Sequence, residues 1–247
     1  MLLLLALLTD PVLLQSQYEE GQLLRQTLTF ELRPAEDTGE TTAAQTRLSI
    51  TATELTVTVG SDSVATCSWR PSRVTGQLQL ADPAAPPLAY RSNQSASVRS
   101  ELEAEAFAPY LDLDRIGLRY EATPRGDRTL LKVDSEAPDA DVLAAALLRL
   151  QTWTLPAEAV QPGATWTDDA DRSYEYVGVD DATDGETGDA AGRHRIAVRF
   201  GQTRGVLFID PDLNRLAEVR LRQTLPDGMV ALTEWTLEEA DDLELGL

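Results

Sequence analysis

Residues 139–166 read DADVLAAALLRLQTWTLPAEAVQPGATW, and this stretch decides how the two halves of the chain are arranged. Its first part predicts a helix over residues 139–153, because apolar residues recur three and four positions apart and Asp139 stands where an N-cap residue belongs. The apolar face of this helix consists of Val142, Leu143, Ala146, Leu147 and Leu150. A helix with one broad apolar face is expected to lie against a sheet.

The second part of the stretch predicts a loop over residues 155–164. Pro156 ends the helix, and Pro162-Gly163 is typical of a turn. Trp166 then begins a new group of strands, and we interpret its ring as a core residue beneath the turn, with a ligand platform as the alternative. The stretch is therefore expected to join two parts of one fold.

Period-two alternation of apolar and polar residues dominates on both sides of this stretch and predicts half-buried strands. These runs fall within residues 22–133 and 165–237 and number about ten or eleven. Their hairpin-length spacing predicts an α+β fold that is mostly antiparallel, a curved sheet or half-open barrel with one or two helices on its concave face. A second helix, interrupted by Pro109, is predicted over residues 101–113.

Two local features interrupt the strand pattern. Glu54 falls on the inward parity of the strand that includes Leu48, and a β-bulge between Ala52 and Leu55 would restore the alternation. The proline-rich segment over residues 81–90 predicts an extended connector outside the sheet, because proline cannot donate to a strand ladder.

The N-terminal run MLLLLALL has the length of a signal-peptide core, although a charged start and a clean cleavage site are missing. We expect residues 1–17 to be a signal-peptide-like segment, with an ordinary apolar N-terminus as the alternative. Residues 18–240 are expected to form a single β-rich domain, followed by an acidic tail over residues 241–247. The predicted location is periplasmic or secreted, or cytoplasmic if the apolar run is not a signal.

Charge and rare residues narrow the classes of function. The formal net charge of −20, from 41 acidic and 21 basic residues, argues against electrostatic binding to nucleic acid or to an anionic membrane surface. Cys67 is the only cysteine, so no intramolecular disulfide can form, and we interpret it as a core residue. His194 is the only histidine and is interpreted as a packed or rim residue. No nucleophile-elbow, P-loop or dinucleotide-binding motif occurs.

Two acidic segments partly resemble calcium loops. DPDLNR at 210–215 places Arg215 where such a loop needs glycine, so we interpret it as a hairpin turn. DDATDGETGDAAG at 180–192 has no matching ligand spacing and is interpreted as a solvated loop. We predict no catalytic, cofactor-binding or metal-binding residue from these patterns.

Function is predicted from the curved sheet and the chain's four tryptophans. The leading hypothesis is a non-catalytic envelope or secreted module that binds an apolar ligand or lipid between sheet and helix. The tryptophans expected to line that cavity are Trp69, Trp153, Trp166 and Trp235. The alternatives are a structural or protein-interaction module with a filled core and an unknown protein partner, and a carboxylate-based hydrolase. A lipid chain needs an apolar cavity of several hundred Å³, so cavity volume separates the first two.

Three short patterns carry a resemblance to known proteins. They are E-G-Q-x-L-R at 20–25, L-P-x-x-x-V-x-P-G-x-x-W at 155–166, and G-x-x-x-x-D-x-x-x-N-R-L at 205–216. Together they resemble a group of uncharacterised secreted bacterial β-rich proteins in which a similar joint separates two sets of strands. The resemblance implies an architecture similar to the lipoprotein-carrier (LolA/LolB-like) half-barrel. The chain given has no cysteine after its apolar start for a lipid anchor, and a shared fold does not transfer function.

Overall fold

A computed structural model of the chain describes residues 10–35, 44–82, 84–94, 100–135, 137, 139–180 and 192–240. The apolar start of the predicted signal-like segment, nearly all of the acidic loop at 180–192 and the predicted tail at 241–247 lie outside the described residues.

The described residues form one sheet of twelve strands, and every pair of neighbouring strands is antiparallel. This confirms the predicted fold class. The strands are β1 (Leu23–Pro34), β2 (Gln45–Val59), β3 (Ala65–Gln79), β4 (Leu88–Arg91), β5 (Gly117–Ala122), β6 (Arg128–Asp134), β7 (Thr165–Thr167), β8 (Ser173–Val179), β9 (His194–Phe200), β10 (Thr203–Asp210), β11 (Arg215–Thr224) and β12 (Met229–Glu239).

The sheet is curved and open, with β6 at one edge and β7 at the other. The order across it is β6-β5-β3-β2-β1-β12-β11-β10-β9-β8-β7, and β4 adds to β3. The two groups of strands meet in the middle, where β1 pairs with β12 from Leu24–Glu239 to Pro34–Met229. Inward-facing apolar residues of both groups therefore share one core.

The strand count differs from the prediction at three places. Two predicted runs merge into β3 because a register shift opposite Thr51 and Ala52 accommodates Pro71 within the strand. β4 was not predicted, and β7 was expected only as the start of the second strand group at Trp166, since these strands have four and three residues. β4 also places the end of the predicted connector over residues 81–90 inside the sheet.

Two α-helices are described. α1 (Glu101–Ala106) begins with a capping box between Ser100 and Glu103 and is followed by two short 3₁₀ turns, so the helix predicted over residues 101–113 is broken. α2 (Ala140–Leu150) is shorter than the predicted 139–153 helix. Asp139 has a left-handed φ of 62° and its side chain makes no capping hydrogen bond, contrary to expectation. Neither described helix has the length and apolar character needed to cross a bilayer.

The stretch from β6 to β7 connects the two edges of the sheet, so α2 and residues 151–164 cross its concave side. The Leu155 backbone N–H donates to the Arg125 carbonyl at 2.7 Å. Gly126 has a φ of +85°, and a Cβ there would overlap the Trp153 carbonyl, so the turn between β5 and β6 needs glycine to receive the crossing chain.

Residues 12–17 belong structurally to the same unit. Val12 and Val160 exchange two backbone hydrogen bonds of 2.8 Å, and Leu14 is 1% exposed. The Ser16 N–H donates to the Pro124 carbonyl at 2.7 Å. The N-terminal segment is thus bonded to the crossing stretch and to the turn between β5 and β6.

Candidate functional site

An apolar groove lies between α2 and the concave face of the sheet. Its first section has a volume of about 500 Å³ and a floor formed by residues of β1, β2 and β12. Tyr110 and Leu113, from the turns after α1, also line it. Among the described lining residues the only acidic one is Glu31. The α2 residues above the floor are Leu143, Ala146, Leu147 and Leu150.

The apolar face predicted for α2 largely coincides with this lining. Leu147 is buried, whereas Leu143 and Leu150 are half-buried and Ala146 is exposed. Val142 was predicted on the same face but is 68% exposed and does not line the groove. The apolar side of the helix is therefore only partly covered by the protein's own side chains.

A second section of about 830 Å³ continues past Ala146 and Leu150, which line both sections. The two sections are neighbours on the sheet, because Leu221 in the second pairs in register with Thr233 in the first. The remaining apolar lining of the second section includes Leu130, Leu148, Phe200 and Trp153. Three arginines also line it: Arg128, Arg149 and Arg172.

Next to the second section a buried ionic cluster is built around Glu54. Its fully buried carboxylate accepts hydrogen bonds from Arg215, Tyr120 and Gln26, and from Arg128 Nη1 at 3.2 Å. The side chains of Arg128 and Arg215 are 5% and 2% exposed. We call these five residues the Glu54 cluster.

Glu54 keeps its inward parity, and the bulge predicted between Ala52 and Leu55 is not formed. The β1–β2 register runs unbroken from Leu23–Leu55 onward, and the irregularities between β2 and β3 leave residues 52–55 in register. Arg128 and Arg215 neutralise the inward carboxylate, so β2 needs no bulge to turn Glu54 outward. Its inward position was the sequence signal for a buried polar site.

The pKa values in the cluster follow from burial and charge. Burial alone would raise the pKa of Glu54, but Arg215 and Arg128, with hydrogen bonds from Tyr120 and Arg215, lower it to about 2. Burial raises the pKa of Tyr120 well above its ordinary value. Burial, and then the charge of Glu54, also raise the pKa of Cys67 to about 11, and this thiol is a core residue as predicted. At neutral pH the cluster therefore contains one carboxylate and two guanidinium groups.

Trp69 and Trp235 are brought together by the Glu54 cluster. Their indole N–H groups donate to the same Gln26 oxygen, at 2.9 and 3.3 Å, and each ring is 1% exposed. The Gln26 amide in turn donates to Glu54, so both buried rings are linked to the cluster. Neither ring is among the residues that line the two sections of the groove.

Trp153 and Trp166 lie on the crossing stretch and after it. Trp153 lines the second section of the groove, donates to the Leu150 carbonyl at 3.1 Å, and has the Arg172 guanidinium 4.8 Å from its ring centroid. Trp166 is half-buried, donates to the Thr154 carbonyl at 2.8 Å, and stacks on Tyr174 with centroids 5.4 Å apart. Its ring lines a separate surface pocket of about 430 Å³. The structure thus divides the four tryptophans among three environments.

The remaining residues singled out from the sequence have structural roles. DPDLNR forms the turn between β10 and β11, as predicted, and the Asp210 carboxylate accepts from the Asp212 N–H at 2.9 Å. His194 is half-buried with Nδ1 2.9 Å from the Tyr176 hydroxyl, and burial lowers its pKa. Over the described residues no three metal-ligand side chains come together.

Comparisons with known proteins add little to this geometry. No family model matches the chain, and no curated protein matches it. Among solved structures, the chain aligns with the crystal structure of MucB in complex with MucA(peri) at 11% identity, over 87% of this chain and 88% of that one. The TM-score is 0.16, which is too low to support an inference of fold or function. The resemblance suggested by the three short patterns stays a prediction, and function has to be inferred from the groove and the Glu54 cluster.

Proposed function

We propose that this protein is a non-catalytic binding module that holds an apolar ligand, such as the tail of a lipid, between α2 and the concave face. The observation that carries this proposal is the first section of the groove, about 500 Å³ with an apolar floor and an apolar roof. Ligand sites have volumes of roughly 300–1,000 Å³, whereas close-packed cores leave almost no space. Each CH₂ group that leaves water for such a site contributes about 0.8 kcal/mol.

In this proposal the four tryptophans contribute unequally to binding. Trp153 contacts the ligand directly, because its ring lines the second section. Trp69 and Trp235 support the floor through Gln26. Trp166 serves the adjoining surface pocket rather than the groove.

The competing functions have less support. A structural module with a filled core would leave no groove under α2. A carboxylate hydrolase needs two carboxyl groups about 5–9 Å apart in one cleft. In the described part of the groove, Glu31 is the only carboxylate, and the nearby Glu54 is engaged by two arginines. A protein partner with an apolar segment would use the same groove and is therefore an outcome of the test below.

We also propose that the binding unit is a single domain and works in the periplasm or outside the cell. One sheet runs from β6 to β7, and the β1–β12 pairing joins its two halves. The location follows from the apolar run over residues 1–8, which lies outside the described residues.

The test combines native mass spectrometry with titration of a neutral fluorescent probe that brightens in apolar sites. Ala146→Phe places a large ring in the groove, and Val142→Phe places the same ring on the exposed side of the same helix. Displacing two CH₂ groups of the ligand costs about 1.6 kcal/mol, so Ala146→Phe is expected to weaken probe binding at least about tenfold. Val142→Phe is expected to bind as the unmodified protein does.

Three results would each contradict the proposal. They are failure of the unmodified protein to bind any apolar probe, equal binding by both phenylalanine variants, and co-purification with a protein instead of a small apolar molecule.

A further inference from the structure

The second section of the groove has a charge pattern opposite to that of the chain. The protein has 41 acidic residues against 21 basic ones, yet the described residues that line this section include three arginines and no acid. Arg172 is neutralised by Asp168, with Nε 2.6 Å from the carboxylate. Arg149 lies on the exposed side of the last turn of α2 and forms no ion pair with the described residues. Positive charge is thus concentrated in the second section of the groove, although the protein as a whole has a negative net charge.

Arg128 connects this section with the Glu54 cluster. Its Nη1 donates to Glu54, to the Tyr120 hydroxyl at 2.7 Å and to Gln151 Oε1 at 2.9 Å. Nε and Nη2 donate no hydrogen bond to any described residue, although the side chain is only 5% exposed. The guanidinium therefore uses one nitrogen for the cluster, and the three N–H groups on Nε and Nη2 remain for another acceptor.

The cluster also lacks one negative charge. Arg128 and Arg215 share a single carboxylate, and burial keeps the nearby hydroxyls of Tyr18 and Tyr120 protonated. A buried cation without a counter-charge is unfavourable, and a carboxylate is the group that matches the guanidinium edge. An anionic group on the groove side of Arg128 would complete the cluster.

Space limits the size of that group. A cleft of about 10 Å³, which Arg128 lines together with Tyr18, Gln151 and Trp153, has room for about one water molecule. On the groove side, only 5% of the Arg128 side chain is exposed, so a ligand can reach little of the guanidinium. We therefore infer that the head group is small enough to contact this limited exposed part of Arg128.

We propose that the ligand is a single-chain amphiphile with a carboxylate head, of the long-chain fatty acid class, whose carboxylate pairs with Arg128 while its chain passes Ala146 and Leu150 into the first section. This inference rests on the proposed function and adds the chemistry of the head group. Arg149, which is exposed and lines the same section as Arg128, supplies a second positive charge near the carboxylate.

The experiment compares ligands that share one chain length. Palmitate, 1-hexadecanol and a palmitoyl lysophosphatidylglycerol are titrated into the full chain at about 0.15 M salt, where long-range repulsion from the acidic surface is largely screened. Palmitate is expected to bind at least about tenfold more tightly than hexadecanol, because a charge-assisted bond to Arg128 is added to the same apolar contacts. The lysophospholipid is expected to bind more weakly than palmitate.

Substitutions locate the head group. Arg128→Gln is expected to remove the preference for palmitate over hexadecanol, measured as the ratio of the two affinities in the same variant. Arg220→Gln, whose side chain is 50% exposed and pairs with Glu218 and Glu234, is the matched control and is expected to keep the preference. If Arg128→Gln does not fold, Arg149→Gln takes its place, with an expected loss of palmitate affinity of roughly threefold.

The outcomes separate this inference from the proposed function. Binding of neither palmitate nor hexadecanol would overturn both. Equal binding of the two would overturn the carboxylate head and leave apolar binding intact. Lysophospholipid binding as tight as that of palmitate would overturn the small head.

Discussion

Replacing Glu54 with glutamine tests whether the ionic cluster holds the sheet together. Glutamine has nearly the same shape but no charge, so Arg128 and Arg215 would lose their shared counter-ion. A pKa lowered from 4.5 to about 2 corresponds to roughly 3 kcal/mol of folding free energy. Breaking a buried ion pair by removing one partner costs about 3–5 kcal/mol. We therefore expect Glu54→Gln to lose about 3–5 kcal/mol at pH 7.

The difference in unfolding free energy between the unmodified protein and Glu54→Gln should depend on pH in a way that identifies the cluster. Because the folded pKa of Glu54 lies below its unfolded value, the carboxylate contributes fully above about pH 4.5, and the contribution is lost as the pH falls toward 2. The gap in unfolding free energy between the unmodified protein and Glu54→Gln should shrink by about 2 kcal/mol between pH 7 and pH 3.

The assay is urea unfolding followed by tryptophan fluorescence. Trp69 and Trp235 report on the cluster, since both donate to Gln26. Glu234→Gln, at a side chain 51% exposed on β12, is the control and should change stability by less than about 0.5 kcal/mol. A loss below about 1 kcal/mol for Glu54→Gln, or a loss that is the same at pH 3 and pH 7, would refute this account of the cluster.

Three further predictions concern local structure. Cys67 is buried with its pKa raised to about 11, so a thiol reagent at pH 8 should label the protein only in urea, and labelling of the folded protein would contradict this burial. Asn214 has a φ of 47°, so Asn214→Ala should lower the free energy of unfolding by about 1 kcal/mol while Asn214→Gly should not; equal losses in urea melts would argue against the left-handed turn. A Cβ at Gly205 would overlap the Arg220 carbonyl, so Gly205→Ala should cost about 1–3 kcal/mol. The control Gly117→Ala, whose Cβ would meet Asp134 Cβ at 3.4 Å, should be tolerated in the same urea assay, and similar midpoints for the two would count against the tight β10–β11 approach.

Local sequence patterns predicted most strands and helices of this fold. Which residues form the candidate site depends on contacts between distant parts of the chain. Alternation identified the long strands, and a Pro-Gly turn marked the crossing stretch, because both signals depend on neighbouring residues. β4 was missed, and β7 was expected only as the start of the second strand group at Trp166, because three or four residues hold too little alternation to recognise a separate strand. Periodicity placed Val142 on the apolar face of α2, but the packing of the helix left that side chain exposed.

The sequence indicated the buried carboxylate of the cluster but not the arginines that pair with it. An inward carboxylate at Glu54 required a cation, but Arg128 and Arg215 lie 74 and 161 positions away in the chain. Which arginines reach it depends on the strand order, and that order is not a local property. The turn at 210–215 was recognised because Arg215 does not fit a calcium loop, yet nothing nearby indicated that this arginine enters the core.

The strand order also relates the Glu54 cluster to the groove. Arg128 is on the edge strand β6 and Arg215 is on β11, with five strands between them in the sheet, yet both contact the carboxylate of Glu54. Two side chains so far apart in a sheet can meet only if the sheet curves strongly. The cluster lies at the Gln26 level of β1, whereas the first section of the groove lies at the Phe30 level of the same strand. The ionic contacts therefore hold the curved sheet together at the level of the cluster. The first section of the groove, beneath α2, is lined mainly by apolar residues, and in the proposed function the chain of the ligand fills this space.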